Sequence, residues 1–322
     1  MLRRTWQPFS CRSRSRVTTA TLLRGALLLA VLPLAGAVPL LGWGPAGHRI
    51  VAEMALRSLP ASLPSFVQQN QSLISFFSIE PDRWRDAGQP ALRAGGAPDH
   101  YIEFEKLALL PTLPPDRYRF YQALFERRER LRSQRRPQEA DGLLPERVGL
   151  QPYVTAEVYG RLVIAWQQYR QAATPPARAA AQQAVVFYMG WLSHFVADGS
   201  QPLHTTIHFD GWVGSNPRGY STRRGLHAKT EDAIVNQSGL ENSLRAQQVQ
   251  PQHLNDPFAE YVAYLRASFA LVPRLYEMEK VQAFEGVGTA EGRDFIRARL
   301  MAGSEMLARL WLTAYEASHT SP

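Results

Sequence analysis

An all-α fold, a single multi-helix domain with long loops, is what the sequence predicts, and three observations predict it. Apolar residues recur every three to four positions in several segments long enough to be helices. Proline follows a capping residue at two clear helix starts, Thr174-Pro175 and Asp256-Pro257. No alternating segment of useful length and no internal repeat interrupts this pattern.

The chain has 322 residues, 45% hydrophobic and 20% charged, which is ordinary for a globular protein. Residues 1–42 stand apart. Arg3, Arg4, Arg12, Arg14 and Arg16 precede an apolar run from Ala20 to Leu41 with small residues near its end, and the segment holds no acidic residue. This is the pattern of a secretory signal, so a secreted or periplasmic protein is expected. A membrane anchor needs about 20 clean apolar residues, and Arg24 and Pro33 interrupt this run. Export changes the charge argument. Six arginines lie in residues 1–42, so of the formal +8 only +2 remains for residues 43–322, and net charge implies no nucleic-acid partner. The one cysteine, Cys11, is also in the leader. A metal site beyond it must use His, Asp and Glu.

Taken in order, residues 47–58 carry Ile50, Val51, Met54 and Ala55 on one stripe and form the first expected helix. Pro60 and Pro64 end it, and residues 64–77 make a second. A loop over about 79–99 holds Pro81-Asp82-Arg83-Trp84-Arg85-Asp86 and runs into His100-Tyr101. Pro111, Pro114 and Pro115 then precede a basic amphipathic helix; its arginines read as a solvated face, with a patch for anionic partners as the alternative. Residues 152–172 are apolar-periodic, and Thr174 opens a helix over about 176–197. Residues 205–224 are a loop rich in Gly, Asn, Ser and Pro, followed by a helix with His227 and Glu231. Asp256 caps a long helix to about 283, and another spans about 290–317. Residues 43–322 thus form one domain, near the upper size for a single core.

The chemistry gathers at the end of the 176–197 helix. His194 and Asp198, four apart, share a helical face, and His204 follows a Gly-Ser-Gln-Pro break. His227 and Glu231 repeat the spacing. Each pair alone is a common helical accident; two pairs joined by a His-bearing turn are much rarer. Neutral imidazole and carboxylate are what zinc selects where thiolates are absent.

Trp43 with His48 five later, Asp82 or Asp86 ahead of His100, His194-x3-Asp198-x5-His204 and His227-x3-Glu231 resemble the trinuclear-zinc phosphodiesterase superfamily in order and spacing. That superfamily holds secreted single-strand-specific nucleases and bacterial zinc-dependent phospholipases C, and the resemblance covers Trp43 to about residue 235. It implies a domain built around a buried zinc cluster of three ions. One zinc would take an Asp of the 81–86 loop, His100, His194 and Asp198. A second would take His204, His227 and Glu231. The third would take the amine and carbonyl of Trp43 with His48, sharing Asp198. Asp198 and Asp82 are then the expected catalytic carboxylates, since cations bridged by one carboxylate acidify the water between them. The resemblance requires a cut before Trp43, after Leu40-Leu41-Gly42, whereas the better small-x-small site is Ala35-Gly36-Ala37. Asp86 lies in a Trp-x-Asp that matches the nuclease branch and Asp82 in a Pro-Asp that matches bacterial relatives. Tyr101 stands where an aromatic stacks on a base, and Asn216 where an Asn contacts the substrate phosphate. His208, four after His204, reads as loop structure rather than a ligand.

The expected function is therefore zinc-dependent hydrolysis of phosphodiesters in single-stranded nucleic acid or nucleotides. A phospholipase C acting on a lipid headgroup is the alternative, because Glu231 is the carboxylate of that branch. A non-catalytic, zinc-stabilised binding protein is the second alternative. A monomer with no stable protein partner is expected.

Overall fold

In the computed structural model, which describes residues 43–108, 110 and 112–319, the main helices are α1 (Pro45–Arg57), α2 (Gln71–Phe77), α3 (Glu80–Arg83), α4 (Arg117–Ser133), α5 (Gln151–Gln171), α6 (Pro175–Ser200), α7 (Pro257–Phe269), α8 (Val272–Lys280) and α9 (Ala290–Ala317). Short helical turns fill the connections. The described residues hold no strand, only one isolated bridge between Phe209 and Gly211, so the protein is all-α. They all fall in one compact unit. The secretory segment expected over residues 1–42 lies outside the described residues. None of the helices described is long and apolar enough to cross a membrane.

The helix starts follow from capping. Thr174 Oγ1 accepts from Ala177 N at 3.3 Å and Asp256 Oδ1 from Ala259 N at 3.0 Å, each satisfying a backbone donor left over at a helix start. Two helices expected as continuous are broken. Residues 64–77 divide at Asn70, whose side chain donates to Phe66 O at 2.8 Å and closes the short turn Phe66–Gln69 before α2 begins. Residues 257–283 divide between α7 and α8, because Pro273 cannot donate to the carbonyl of Phe269 and its ring would crowd it. The 79–99 loop is not bare either: it contains α3, the turn Pro90–Gly96 and the 3-10 turn Ala97–His100.

α6 is the central element. It packs against α1, α2, α5, α7 and α9, and every residue from Leu192 to Ser200 is buried. A helix apolar on all sides has to be covered on all sides. Leu192, Phe195 and Val196 each stabilise that burial by about 1.5–3 kcal/mol, and this offsets the cost of taking the polar His194 and Asp198 out of water on the same turns.

Gly190 shows how tight the packing is. A Cβ there would stand 2.4 Å from Phe77 Cβ and 2.8 Å from Ile74 O on α2. Alanine would gain about 1 kcal/mol of helix propensity, but overpacking of this kind costs about 1–3 kcal/mol, and a 2.4 Å contact belongs at the upper end. Gly190→Ala is expected to lower the melting temperature by several degrees; an unchanged or higher value by calorimetry would show that α2 and α6 separate freely.

Candidate metal centre

Six segments deliver the polar cluster. α1 carries His48, α3 carries Asp82, and the 3-10 turn Ala97–His100 ends in His100. α6 carries His194 and Asp198 on one face. Gln201 then starts the 3-10 turn Pro202–Thr205 that holds His204, its side-chain oxygen accepting from Leu203 N at 3.5 Å. His227 lies in the turn Leu226–Ala228, and Glu231 in a π-helical turn, Lys229–Ala233, that follows without a break. Such wide turns are rare and cluster at functional sites.

Among the described residues, three groups bring ligand atoms within reach of a shared ion: His48, Asp82 and His194; His100, His194 and Asp198; and His204, His227 and Glu231. In the second group His100 Nδ1 is 3.1 Å and His194 Nε2 3.3 Å from Asp198 Oδ2, and the two nitrogens are 3.0 Å apart. In the third, Glu231 stands 3.1 Å from His204 Nε2 and 2.8 Å from His227 Nε2, with 3.2 Å between those nitrogens. Ligands about 2.0–2.1 Å from a tetrahedral zinc stand roughly 3.3 Å from one another, so both groups have the edge lengths of a metal tetrahedron. The first group is wider, with His48 Nε2 3.8 Å and His194 Nε2 3.9 Å from Asp82.

The backbone decides which nitrogen faces inward. His194 Nδ1 lies 2.9 Å from Ser78 O, His204 Nδ1 2.6 Å from His100 O, and His227 Nδ1 2.9 Å from Phe209 O. A carbonyl can only accept, so each Nδ1 carries a proton and each Nε2 is the nitrogen turned to the cluster, where a cation would displace any proton it holds. Three imidazoles oriented in this way are prepared for a cation. Asp198 Oδ1 and both nitrogens of His48 are buried and make no hydrogen bond to any described residue; unsatisfied buried acceptors are costly, and a cation beside them removes that cost.

Electrostatics points the same way. Burial would raise Asp198, but the facing His194 and His204 hold it well below the ordinary carboxylate range. Burial likewise opposes ionisation of Glu231, and His227 and His204 reverse it, so its pKa is lowered too. Burial, aided by His194, pushes His48 well below the ordinary imidazole value, and burial lowers His100 despite Asp198. His194 and His204 are raised against burial by the carboxylates, His204 to about 9 through Asp198 and Glu231. Two buried anions ringed by imidazoles form a site for cations.

The structure brings together His48, Asp82, His100, His194, Asp198, His204, His227 and Glu231. Asp86 is not among them. Its Oδ1 accepts from Gly88 N at 2.7 Å in an exposed turn, whereas Asp82, on the helical turn that packs against α6, reaches within 3.8–3.9 Å of His48, His100 and His194. Trp43 is fully buried, its indole donating to Ala197 O at 2.8 Å and Ser200 Oγ at 2.9 Å, and Gly44 N donates to Glu231 O at 3.4 Å. In the intact chain its own nitrogen is a peptide nitrogen with a delocalised lone pair, so amine ligation requires cleavage before Trp43.

Tyr101 lines a cavity of about 220 Å³ with His100, Glu103, His204, Phe209 and His227. Its hydroxyl donates to Glu146 O at 2.6 Å, and burial pushes its pKa up to about 12. Gly149, at φ +93°, lets the chain pass over Tyr101: a Cβ there would fall 2.1 Å from Tyr101 O. Asn216 is engaged within its own loop. Its amide accepts from Tyr220 N and donates to Tyr220 O, both at 2.8 Å, which clamps its own loop and leaves it outside this cavity. His208 stacks on Trp212 at 3.6 Å and accepts from Val213 N at 3.1 Å, a loop role.

Two residues near the cluster carried no readable signal. Asp210 Oδ1 accepts from Gly225 N at 2.7 Å and from His227 N at 3.2 Å, fixing the turn that carries His227. Arg85 Nη1 is 3.3 Å from Asp82 Oδ1 and its side chain is nearly buried. An Asp that orients a ligand from outside looks like any loop Asp until the fold closes. Asp210→Ala is expected to weaken metal affinity by about 10–100-fold, as loss of such orienting partners does. His208→Ala is expected to cost far less; titration with a competing zinc chelator checks both, and equal losses would give His208 a role at the metal.

Comparison with protein-family models finds no match to this chain, and comparison with characterised proteins finds none either.

Proposed function

We propose that the chain is a zinc-dependent phosphodiester hydrolase acting on single-stranded nucleic acid or 3′-nucleotides. One observation supports this most. The Oδ2 of Asp198 faces His100 and His194, while Oδ1 faces His48 and makes no hydrogen bond to a described residue. A single carboxylate thus faces two sets of ligand atoms, and Asp198 would serve both if adjacent cations were held there, which would supply the charge stabilisation that a displacement at phosphorus needs.

The donors suit zinc. Cys11 is the only cysteine in the chain, so the ligands are imidazole nitrogen and carboxylate oxygen. We assign Asp82, His100, His194 and Asp198 to one ion, His204, His227 and Glu231 to a second, and His48 with Asp198 and a freed Trp43 terminus to a third. Zinc held there supplies a Lewis acid that polarises a phosphoryl oxygen and acidifies water. The protein does the rest. The Nδ1 hydrogen bonds of His194, His204 and His227 fix the rings, and burial excludes bulk water. Tyr101 and Phe209 give the cavity aromatic walls for a planar base.

A phospholipase C is the second reading. Glu231 favours it through the resemblance, and Leu203, Phe209 and Ala97 give the same cavity an apolar side. Assay of the zinc-loaded protein on single-stranded DNA, 3′-AMP and phosphatidylcholine separates the two. Release of nucleotide or phosphate from the first two supports the nuclease reading. Hydrolysis of phosphatidylcholine alone would replace it, and stoichiometric zinc with no hydrolysis of any diester would leave a zinc-stabilised binding protein.

A further inference from the structure

We propose that the outward face of α4 is a binding track for single-stranded nucleic acid, leading from the cavity; its choice of ligand rests on the nuclease reading above. The inward face of this helix is already used. Phe120, Leu124 and Leu131 are buried, and Phe120 stacks on Tyr153 with ring centroids 4.6 Å apart. On the outer side, at helical spacing, stand Tyr118 and Phe125, while Tyr121 packs against the core. Tyr118 is 81% exposed and Phe125 58% exposed, far more than a core would leave. Tyr118 and Phe125 are two turns apart, about 10 Å along the axis.

Charge surrounds this row. Residues 117–136 hold eight arginines against two glutamates, a net of +6, while residues 43–322 together carry only +2. The rest of that region is therefore net negative, and its positive charge is concentrated here. Three of the arginines are engaged in weak surface pairs: Arg119 with Asp116 at 3.4 Å, Arg130 with Glu126 at 3.9 Å, Arg132 with Glu129 at 3.0 Å. Exposed pairs of this kind contribute little and exchange readily for phosphate.

The N-terminal end of the helix is tied to the cavity rim. Arg117 Nη2 lies 3.7 Å from Asp99, the residue before His100. Beyond the C-terminal end of α4, Glu146 O accepts from the Tyr101 hydroxyl, Arg147 O accepts from Lys106 Nζ at 2.6 Å, and Val148 O accepts from Glu103 N at 2.7 Å. The segment 99–106 that rims the cavity is thus held at Asp99 by Arg117 of α4, and at Tyr101, Glu103 and Lys106 by residues 146–148 further along the chain.

Separated aromatics amid arginines match bases stacking one by one along a phosphate backbone. A duplex keeps its bases stacked on each other and offers these rings nothing. A membrane surface needs a continuous apolar face to enter the headgroup layer, and here Gln122, Glu126 and Glu129 interrupt it.

Fluorescence anisotropy of the zinc-loaded full chain with a hydrolysis-resistant phosphorothioate oligothymidylate tests the track. Tyr118→Ala with Phe125→Ala is expected to weaken binding about tenfold or more. Arg119→Gln with Arg130→Gln and Arg135→Gln is expected to reduce the slope of log affinity against log salt by about 2, at about 0.7 per lost phosphate contact. Hydrolysis of the small diester bis(p-nitrophenyl) phosphate should be unchanged in both variants. Wild-type affinity in both variants would overturn the proposal, as would equal affinity for a duplex, or loss in these variants of binding to phosphatidylglycerol vesicles but not to the oligonucleotide. If the wild-type protein binds through these residues yet hydrolyses no diester, the track stands and the enzymatic reading falls.

Discussion

Asp198→Asn is expected to abolish diester hydrolysis and to release metal. One carboxylate oxygen becomes an amide nitrogen, which cannot ligate. Because Oδ2 faces His100 and His194 while Oδ1 faces His48, either orientation of the amide breaks one group. The substitution keeps the shape of the side chain, so the loss is one of charge and coordination rather than packing. Removing a partner that only orients a ligand costs about 10–100-fold; removing a shared ligand should cost more than that in kcat/KM, together with at least one equivalent of bound metal. Steady-state kinetics with metal analysis of the same sample checks it. Full metal content with retained turnover would remove Asp198 from the centre.

Chelation is the second large effect expected. The cluster buries two ionised carboxylates, Asp198 and Glu231, at 0% and 1% exposure, and a bound cation compensates charge that would otherwise be costly to hold. A ligand at about 1,000 times its dissociation constant stabilises the native state by about 4 kcal/mol per site. At about 2–4 °C per kcal/mol, stripping even one site should lower the melting temperature by roughly 10 °C. Readdition of zinc should restore the melting temperature and the activity together. A melting curve unmoved by 1,10-phenanthroline would mean that His–carboxylate pairing alone carries the core.

The parts of the centre legible in the sequence were those with helical spacing. His194 and Asp198 are four apart on a regular helix, so a shared face followed from periodicity alone. His227 and Glu231 were found by the same rule, although their turn is π-helical at Glu231, which no spacing of four announces. The choice between Asp82 and Asp86 had no periodicity to settle it. What separates them is tertiary: α3 docks on α6 and turns Asp82 inward, while Asp86 closes a turn with Gly88 N. The role expected of Asn216 rests on a loose loop pattern, which cannot show that Tyr220 takes both ends of its amide. Asp210 gave no signal, since its partners are backbone N–H groups fifteen and seventeen residues away.

The fold was legible to a similar degree and for similar reasons. Caps at Thr174 and Asp256 placed helix starts within a residue or two, because the capping hydrogen bond is local. The breaks at Asn70 and before Pro273 were missed where an apolar pattern ran on across a turn.

The most direct test of the account is the zinc content of the purified protein by mass spectrometry, with its N-terminal residue determined on the same sample. Three zincs per chain are predicted where the chain begins at Trp43, and two where it begins further upstream, since His48 then lacks the terminal amine as a co-ligand. Less than one equivalent of zinc after purification in zinc-containing buffer would contradict the claim that these buried histidines and carboxylates form a metal centre.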